Sequence, residues 1–112
     1  MTDDKNQLYL IHIFDELSFL REIRETTTYE SLIDDKIKQR AVIRSIEVIG
    51  EAANNISAEF KNNHTDVPWR KLTDTRNRLI HGYFTVSMLI IWEIIDKETE
   101  PLLSKISALI KN

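Results

Sequence analysis

Apolar residues recur along the chain at spacings of three and four, which is the period of an amphipathic helix. Alternation of apolar and polar residues, the pattern of a half-buried β-strand, never continues for more than a few positions. Glycine and proline, which interrupt regular structure, occur only twice each. The pattern therefore predicts an all-α protein, a helical bundle in one domain covering residues 1–112.

The first predicted helix, Asp4 to Glu25, has apolar residues on two faces. One face is a stripe of five residues: Leu10, Ile13, Phe14, Leu17 and Leu20. At about 100° per residue, Leu8, Phe19 and Ile23 fall on the opposite side. Because a bundle this small usually covers one face of a helix, the second face favours a homodimer. The alternative is that the segment Tyr29 to Ile33, a predicted short helical turn, folds back over it.

A second long helix is predicted from Lys36 to Asn62. Its apolar seam repeats at spacings of four and three, as expected in an antiparallel bundle: Val42, Ile46, Ile49, Ala53, Ile56 and Phe60. Arg44, Glu47 and Glu51 lie on the side away from this seam. A glycine in mid-helix lowers the stability of the helix by up to about 1 kcal/mol relative to alanine. At Gly50 we therefore expect another backbone to approach closely.

The remaining chain is predicted to form shorter helices. Pro68 suits the first turn of one, and a separate helix is expected to begin near Thr73. Gly82 is predicted to end that helix in the left-handed conformation. Ser87 is the expected cap of the next helix, and Pro101 is expected to open the last one.

Composition and charge narrow the possible partners. The net charge of −3 argues against general coating of nucleic acid, so any RNA contact has to use a local basic patch. The absence of cysteine excludes disulfides and thiolate metal sites and is compatible with the reducing cytoplasm, where we expect the protein. No apolar run is long enough for a bilayer, and the polar, acidic amino terminus does not resemble a signal peptide.

The candidate chemistry is concentrated between Thr73 and Tyr83, which read T-D-T-R-N-R-L-I-H-G-Y. Asn77 and His81 are four residues apart and share a helix face. Arg76 lies about 140° from His81 on the helix, so the two point in different directions. Either the long Arg76 side chain leans over, or a two-fold partner brings its own copy alongside.

These residue types suit cleavage of an RNA phosphodiester without a metal or another cofactor. The imidazole of His81 can accept the 2′-hydroxyl proton or donate one to the leaving oxygen. The Arg76 guanidinium can hold a phosphate and stabilise its developing charge. The Asn77 carboxamide can orient the phosphate or the imidazole. One histidine does not easily serve as both acid and base, whereas two copies across a dimer axis supply both.

Each of these residues also has an ordinary structural interpretation. Arg76 can pair with Asp74, and Arg78 stands four residues from Asp74 in ion-pair register. His81 can act only as a favourable cation at a helix end, and Tyr83 can belong to the core. From these residues alone, a dimeric helical interaction module is favoured over an enzyme.

Several sequence elements extend the pattern over most of the chain. In order, they are Ile49-Gly50-Glu51-Ala52, Pro68-Trp69-Arg70, Arg76-Asn77, His81-Gly82-Tyr83, Trp92 and Pro101. Their type and order resemble the HepT-like toxins of the HEPN superfamily, small helical ribonucleases of bacterial and archaeal toxin–antitoxin pairs. The departures are small: Ser87 stands where relatives often carry aspartate, and Leu89 occupies a commonly polar position.

The resemblance implies an up-and-down HEPN bundle of four to five helices. It would dimerise so that two Arg76 and His81 pairs face a shared basic cleft. It implies a metal-independent endoribonuclease toxin that cleaves tRNA or mRNA and leaves a 2′,3′-cyclic phosphate. The implied partner is a small nucleotidyltransferase antitoxin, which in studied pairs transfers AMP from ATP to the motif tyrosine, here Tyr83. The alternative is a non-catalytic HEPN module that binds such a nucleotidyltransferase.

Four further residues are candidates for a supporting role. Arg70, Lys71 and Arg78 are expected to supply a basic rim for RNA, although exposed charge is the ordinary interpretation of such residues. Glu51 either orients His81 or Arg76 across the cleft or is simply solvated opposite the seam.

Overall fold

The computed structural model describes residues 2–82 and 87–111, with side chains from residue 4 onwards. This part of the chain forms six helices and no strand: α1 (Thr2–Thr26), α2 (Tyr29–Ile33), α3 (Lys36–Asn55), α4 (Ala58–Asn63), α5 (Trp69–Gly82) and α6 (Met88–Leu109). The all-α prediction is confirmed. None of the described helices combines the length and apolarity that a membrane crossing requires.

The core is built around α3, which packs against both α1 and α5. On its other side α1 packs against α6, and the short α2 packs against α3 and α6. The predicted seam of α3 is buried, from Val42 at 0% exposure to Ile46 at 5%. Because each buried leucine or isoleucine contributes about 1.5–3 kcal/mol, this shared core holds α5 in place, the helix that carries the candidate chemistry.

The second apolar face of α1 is largely covered within one chain. Ile23 is buried, and Phe19 packs against the core, so only Leu8 of the three is mostly exposed. The cover arises because α1 packs between α3 and α6, and the Arg24 guanidinium donates a hydrogen bond of 3.2 Å to Glu100 on α6. The prediction that this face needs a second copy of the chain to cover it is therefore mostly wrong. The homodimer itself stays a prediction.

The long helix predicted over residues 36–62 is interrupted at Ile56, whose backbone is extended. The Asn6 carboxamide, buried in α1, causes the break by binding Ser57 twice. Its Nδ2 donates to Ser57 Oγ at 3.1 Å, and the Ser57 backbone N–H donates to its Oδ1 at 3.0 Å. Ser57 then caps α4, because its Oγ accepts a hydrogen bond from the Phe60 backbone N–H.

The two short helices expected from Pro68 and Thr73 are one continuous helix, α5. Its last residue is Gly82, but no glycine among the described residues has a positive φ. The predicted left-handed end is therefore not observed at Gly82. The predicted cap at Ser87 is confirmed, because its hydroxyl oxygen accepts a hydrogen bond from the Ile90 backbone N–H.

Pro101 lies inside α6 and does not open a separate helix, so that prediction is wrong. A proline in a helix interior removes one hydrogen bond and costs about 3 kcal/mol. The helix continues because it is buried on both sides of the proline: Ile91 and Ile95 before it and Leu103 and Ile106 after it belong to the same core. Burial of these four side chains outweighs the local cost.

Gly50 lies where α3 and α5 come closest. A Cβ atom at this position would overlap with Cβ of Arg76 and lie 2.7 Å from the backbone carbonyl oxygen of Leu72. The expected close approach of another backbone is confirmed. Since only glycine permits this spacing, Gly50 fixes the position from which the Arg76 side chain extends.

Candidate functional site

The outer side of α5 carries a row of polar side chains. Arg70, Thr73, Asn77 and His81 follow one another at spacings of three or four residues, so they lie along one side of the helix. The opposite side is anchored in the core by Leu79, which is buried, and by partly buried Leu72. Trp69, at the start of the helix and closer to the polar row, is also buried. The anchored side fixes the direction in which the polar row faces.

Arg76 extends from the inner side of α5, beside Gly50. Its Nη1 donates a hydrogen bond of 2.7 Å to Oδ1 of Asn77. Its Nε is buried and has no hydrogen-bond partner in the described part of the chain. The anticipated ion pair with Asp74 is not formed, and no described carboxylate lies within ion-pair distance of Arg76. The guanidinium therefore keeps its charge available for a ligand.

Asn77 connects Arg76 to the side of the helix that carries His81. Its Oδ1 is used by Arg76, which leaves its Nδ2 hydrogens as donors on the outer face. His81 is exposed in the last turn of α5, and its ring makes no hydrogen bond to a described residue. Arg76 and His81 thus belong to different sides of one helix, with the carboxamide between them.

Tyr83, the expected site of modification, lies outside the described residues. The structure therefore does not test whether Tyr83 is the acceptor of AMP that the resemblance implies or a residue of the core. The prediction stands on the sequence alone.

Glu51 has a described partner on its own helix. Its Oε1 accepts a hydrogen bond of 3.1 Å from Arg44, which also reaches Glu47 at 3.4 Å. The pKa of Arg44 is raised above its ordinary value, first by the hydrogen bond to Glu51 and then by the one to Glu47. Arg44 thus offsets part of the negative charge that this side of α3 carries. A supporting role of Glu51 toward Arg76 or His81 stays a prediction.

The three cations predicted to form a basic rim lie in different surroundings. Lys71 Nζ binds Glu98 Oε1 at 2.6 Å, which ties α5 to α6. Arg78 lines the groove between the same two helices, and the ion pair with Asp74 is not formed. Arg70 lies on the other side of α5, in a hollow that it shares with Asn54 of α3. A single continuous rim is therefore not present within one chain.

Comparison with known proteins identifies the family. Residues 13–109 match the family described as Ribonuclease HepT-like. The chain belongs to the HepT-like ribonuclease family. Family membership confirms the resemblance stated from the sequence and places the chain among the ribonucleases.

Three relatives illustrate the match. A candidate RNase of Caldanaerobacter subterraneus subsp. tengcongensis is 40% identical over 92% of this chain and 92% of its own. A candidate ribonuclease HepT of Thermococcus cleftensis is 36% identical over 92% of this chain and 94% of its own. A candidate RNase of Methanocaldococcus jannaschii is 35% identical over 93% and 86%, respectively. No solved structure matches the chain.

In this HepT-like chain, an open groove lined by both apolar and charged residues runs between α5 and α6. Its volume is about 470 Å³, and Leu79, Ile91 and Ile94 are among the residues that line it. Ile90 also lines the groove and is 43% exposed, and the adjacent Leu89 is 48% exposed. This groove is not predicted from the sequence, although the apolar run Leu89-Ile90-Ile91 at the start of α6 indicates an apolar surface there.

The described residues include no group of three or more histidine, aspartate or glutamate side chains that is arranged to hold a metal ion. The candidate residues of α5 that carry chemistry are Arg76, Asn77 and His81. They combine an anion-binding fork, a donor amide and an exposed proton-transfer group.

Proposed function

We propose that this HepT-like ribonuclease is a metal-independent endoribonuclease toxin that cleaves tRNA or mRNA through Arg76, Asn77 and His81. One observation carries the proposal. Arg76 is fixed against Gly50, has no carboxylate partner among the described residues and is hydrogen-bonded to Asn77, which shares a helix face with exposed His81. A purely structural arginine at a helix contact is normally paired with a carboxylate when it is partly buried.

In the proposed reaction the 2′-oxygen of the RNA attacks the adjacent phosphorus and the bond from phosphorus to the 5′-oxygen breaks. His81 takes the 2′-hydroxyl proton, and a second imidazole gives a proton to the 5′-oxygen. Arg76 and the Nδ2 group of Asn77 stabilise the negative charge that builds on the phosphoryl oxygens. The products are a 2′,3′-cyclic phosphate and a free 5′-hydroxyl.

The need for a second imidazole supports a homodimer as part of the proposal. Within one chain, Arg76 and His81 lie on different sides of α5, so a second copy is the natural source of the group that completes each site. The groove between α5 and α6, with Ile90 exposed in its lining and Leu89 exposed beside it, offers surface for such an association.

Cleavage without added metal tests the proposal directly. Purified protein incubated with total RNA in EDTA is expected to cut it and to leave 2′,3′-cyclic phosphate ends, because the three side chains supply the acid, the base and the anion site. End-group analysis of the fragments is the measurement. Intact RNA at every protein concentration would favour the alternative, a non-catalytic HEPN module that binds a nucleotidyltransferase.

Control by a nucleotidyltransferase antitoxin is the second part of the proposal. We expect co-expression with that partner to raise the intact mass of the protein by whole AMP units and to silence cleavage, because added phosphates beside Arg76 would occupy the RNA site. The mass increase should disappear in Tyr83→Phe and persist in the control Tyr29→Phe. An increase retained in Tyr83→Phe would assign the modification to another residue.

A further inference from the structure

The polar row on α5 leads from His81 toward the amino end of the helix, and there it meets a hollow of about 270 Å³. Arg70 and Thr73 of α5 line one side of this hollow. Asn54 of α3 and Lys61 of α4 line the other. Three helices thus bring two cations and two neutral polar side chains to one place on the side of α5 that carries Asn77 and His81.

The two cations of the hollow have no carboxylate of the described residues within ion-pair distance. Neither Lys61 nor Arg70 forms an ion pair or a side-chain hydrogen bond with any residue that the structure describes. Burial lowers the pKa of Lys61 below its ordinary value, because its ammonium is partly withdrawn from water. The one carboxylate at the hollow, Asp74, offsets one of the two charges and leaves a net positive site.

The hollow is suited to a phosphate and not to a nucleobase. The aromatic ring at its edge, Trp69, is buried, and its Nε1 donates a hydrogen bond of 2.9 Å to the backbone carbonyl oxygen of His64. It therefore offers no open face on which a base could stack. The groups that remain accessible are the Lys61 ammonium, the Arg70 guanidinium and the Asn54 carboxamide, all of which can donate to phosphate oxygens.

We propose that Lys61 and Arg70, with Asn54 and Thr73, hold a backbone phosphate of the RNA strand some nucleotides away from the bond that is cut. The inference rests on the proposed ribonuclease function. From Thr73 to His81 the helix rises about 12 Å, which corresponds to three or four stacked nucleotides at roughly 3.4 Å each. The subsite contributes affinity and register and takes no part in the proton transfers.

Binding of a single-stranded RNA of twelve nucleotides to the His81→Ala variant tests the subsite apart from cleavage. Adding Lys61→Gln or Arg70→Gln to this variant is expected to weaken RNA binding by about three- to tenfold. A loss of affinity of this size lies between that of an exposed ion pair and that of a charge-assisted hydrogen bond. The slope of log affinity against log salt should fall by about 0.7 for each cation that is removed from the phosphate. The matched control Lys105→Gln, on α6, should change neither quantity.

Lys61→Arg keeps the charge and should keep the affinity, which separates removal of the phosphate-binding cation from damage to the fold. In the active protein, Lys61→Gln should raise KM for the long RNA without changing kcat, and should leave cleavage of a dinucleotide unchanged. The inference would be overturned if Lys61→Gln lowered cleavage of long and short RNA equally, or if it behaved no differently from Lys105→Gln. If the wild-type protein failed to cleave RNA, the proposed function would fail while the binding experiment still decided the subsite.

Discussion

Replacement of His81 by alanine is expected to lower the rate of RNA cleavage by about 10²–10⁴-fold, the usual contribution of a positioned general acid or base. The protein should remain folded, because the ring is exposed and makes no hydrogen bond to a described residue. Initial rates on a defined RNA in EDTA measure the first effect. Thermal unfolding followed by circular dichroism measures the second.

His12→Ala is the matched control, since His12 is also an exposed helical histidine but lies on α1. It should retain wild-type cleavage, which rules out a general effect of removing an imidazole. Undiminished cleavage by His81→Ala would show that the proton transfers are made elsewhere. The assignment of the site would then be wrong even though the family is not in question.

Gly50→Ala is expected to lower the free energy of unfolding by about 1–3 kcal/mol, the usual cost of overpacking. Inside a helix, replacing glycine by alanine ordinarily raises the free energy of unfolding, by up to about 1 kcal/mol. The effect expected at Gly50 has the opposite sign. The reason is that the new Cβ overlaps with Cβ of Arg76, so α3 and α5 have to move apart. Urea unfolding of both proteins measures the difference.

The same substitution should also reduce cleavage, because it displaces Arg76. A shift of about 1 Å at a positioning group can cost on the order of 10²-fold in rate. The control is Ala41→Gly, at an exposed position of the same helix. It should lower the free energy of unfolding by about 0.5–1 kcal/mol and leave cleavage unchanged. A Gly50→Ala protein that was more stable and fully active would show that the two helices pack less closely than described.

The charges around α5 explain how a protein of net charge −3 can attract RNA. Lys71 is engaged by Glu98, whereas Arg70, Arg76 and Lys61 have no described carboxylate partner within ion-pair distance. These three cations lie on or beside α5, although described cations on other helices, such as Lys5, Arg40 and Lys105, also form no ion pair. The position of Lys61, Arg70 and Arg76 close to the helix that carries His81, more than total charge, marks the proposed path of the strand.

Several features of the fold and the site could be predicted from the sequence, because they depend on residues that are near one another along the chain. The spacing of apolar residues sets which side of each helix is buried. The separation of four residues between Asn77 and His81 places them on one face, and the glycine at position 50 indicates that another backbone comes close. The hydroxyl of Ser87 caps its own helix for a similarly local reason.

Other features were decided only when distant parts of the chain met. Asn6 ends α3 by binding Ser57, fifty-one residues away. The core on both sides of Pro101 keeps α6 continuous, although the residue by itself predicts a helix start. Ile23 is buried because α1 lies between two other helices.

The site divides in the same way. The sequence by itself determined that Arg76, Asn77 and His81 belong to one short helix and that Arg76 and His81 diverge on it, because helix geometry depends only on spacing. Only the tertiary structure decided that Lys71 is occupied by Glu98 and that Lys61 comes to lie beside Arg70. The physical reason is that periodicity is a property of neighbouring residues, whereas charge pairing and burial depend on which helices the core brings together.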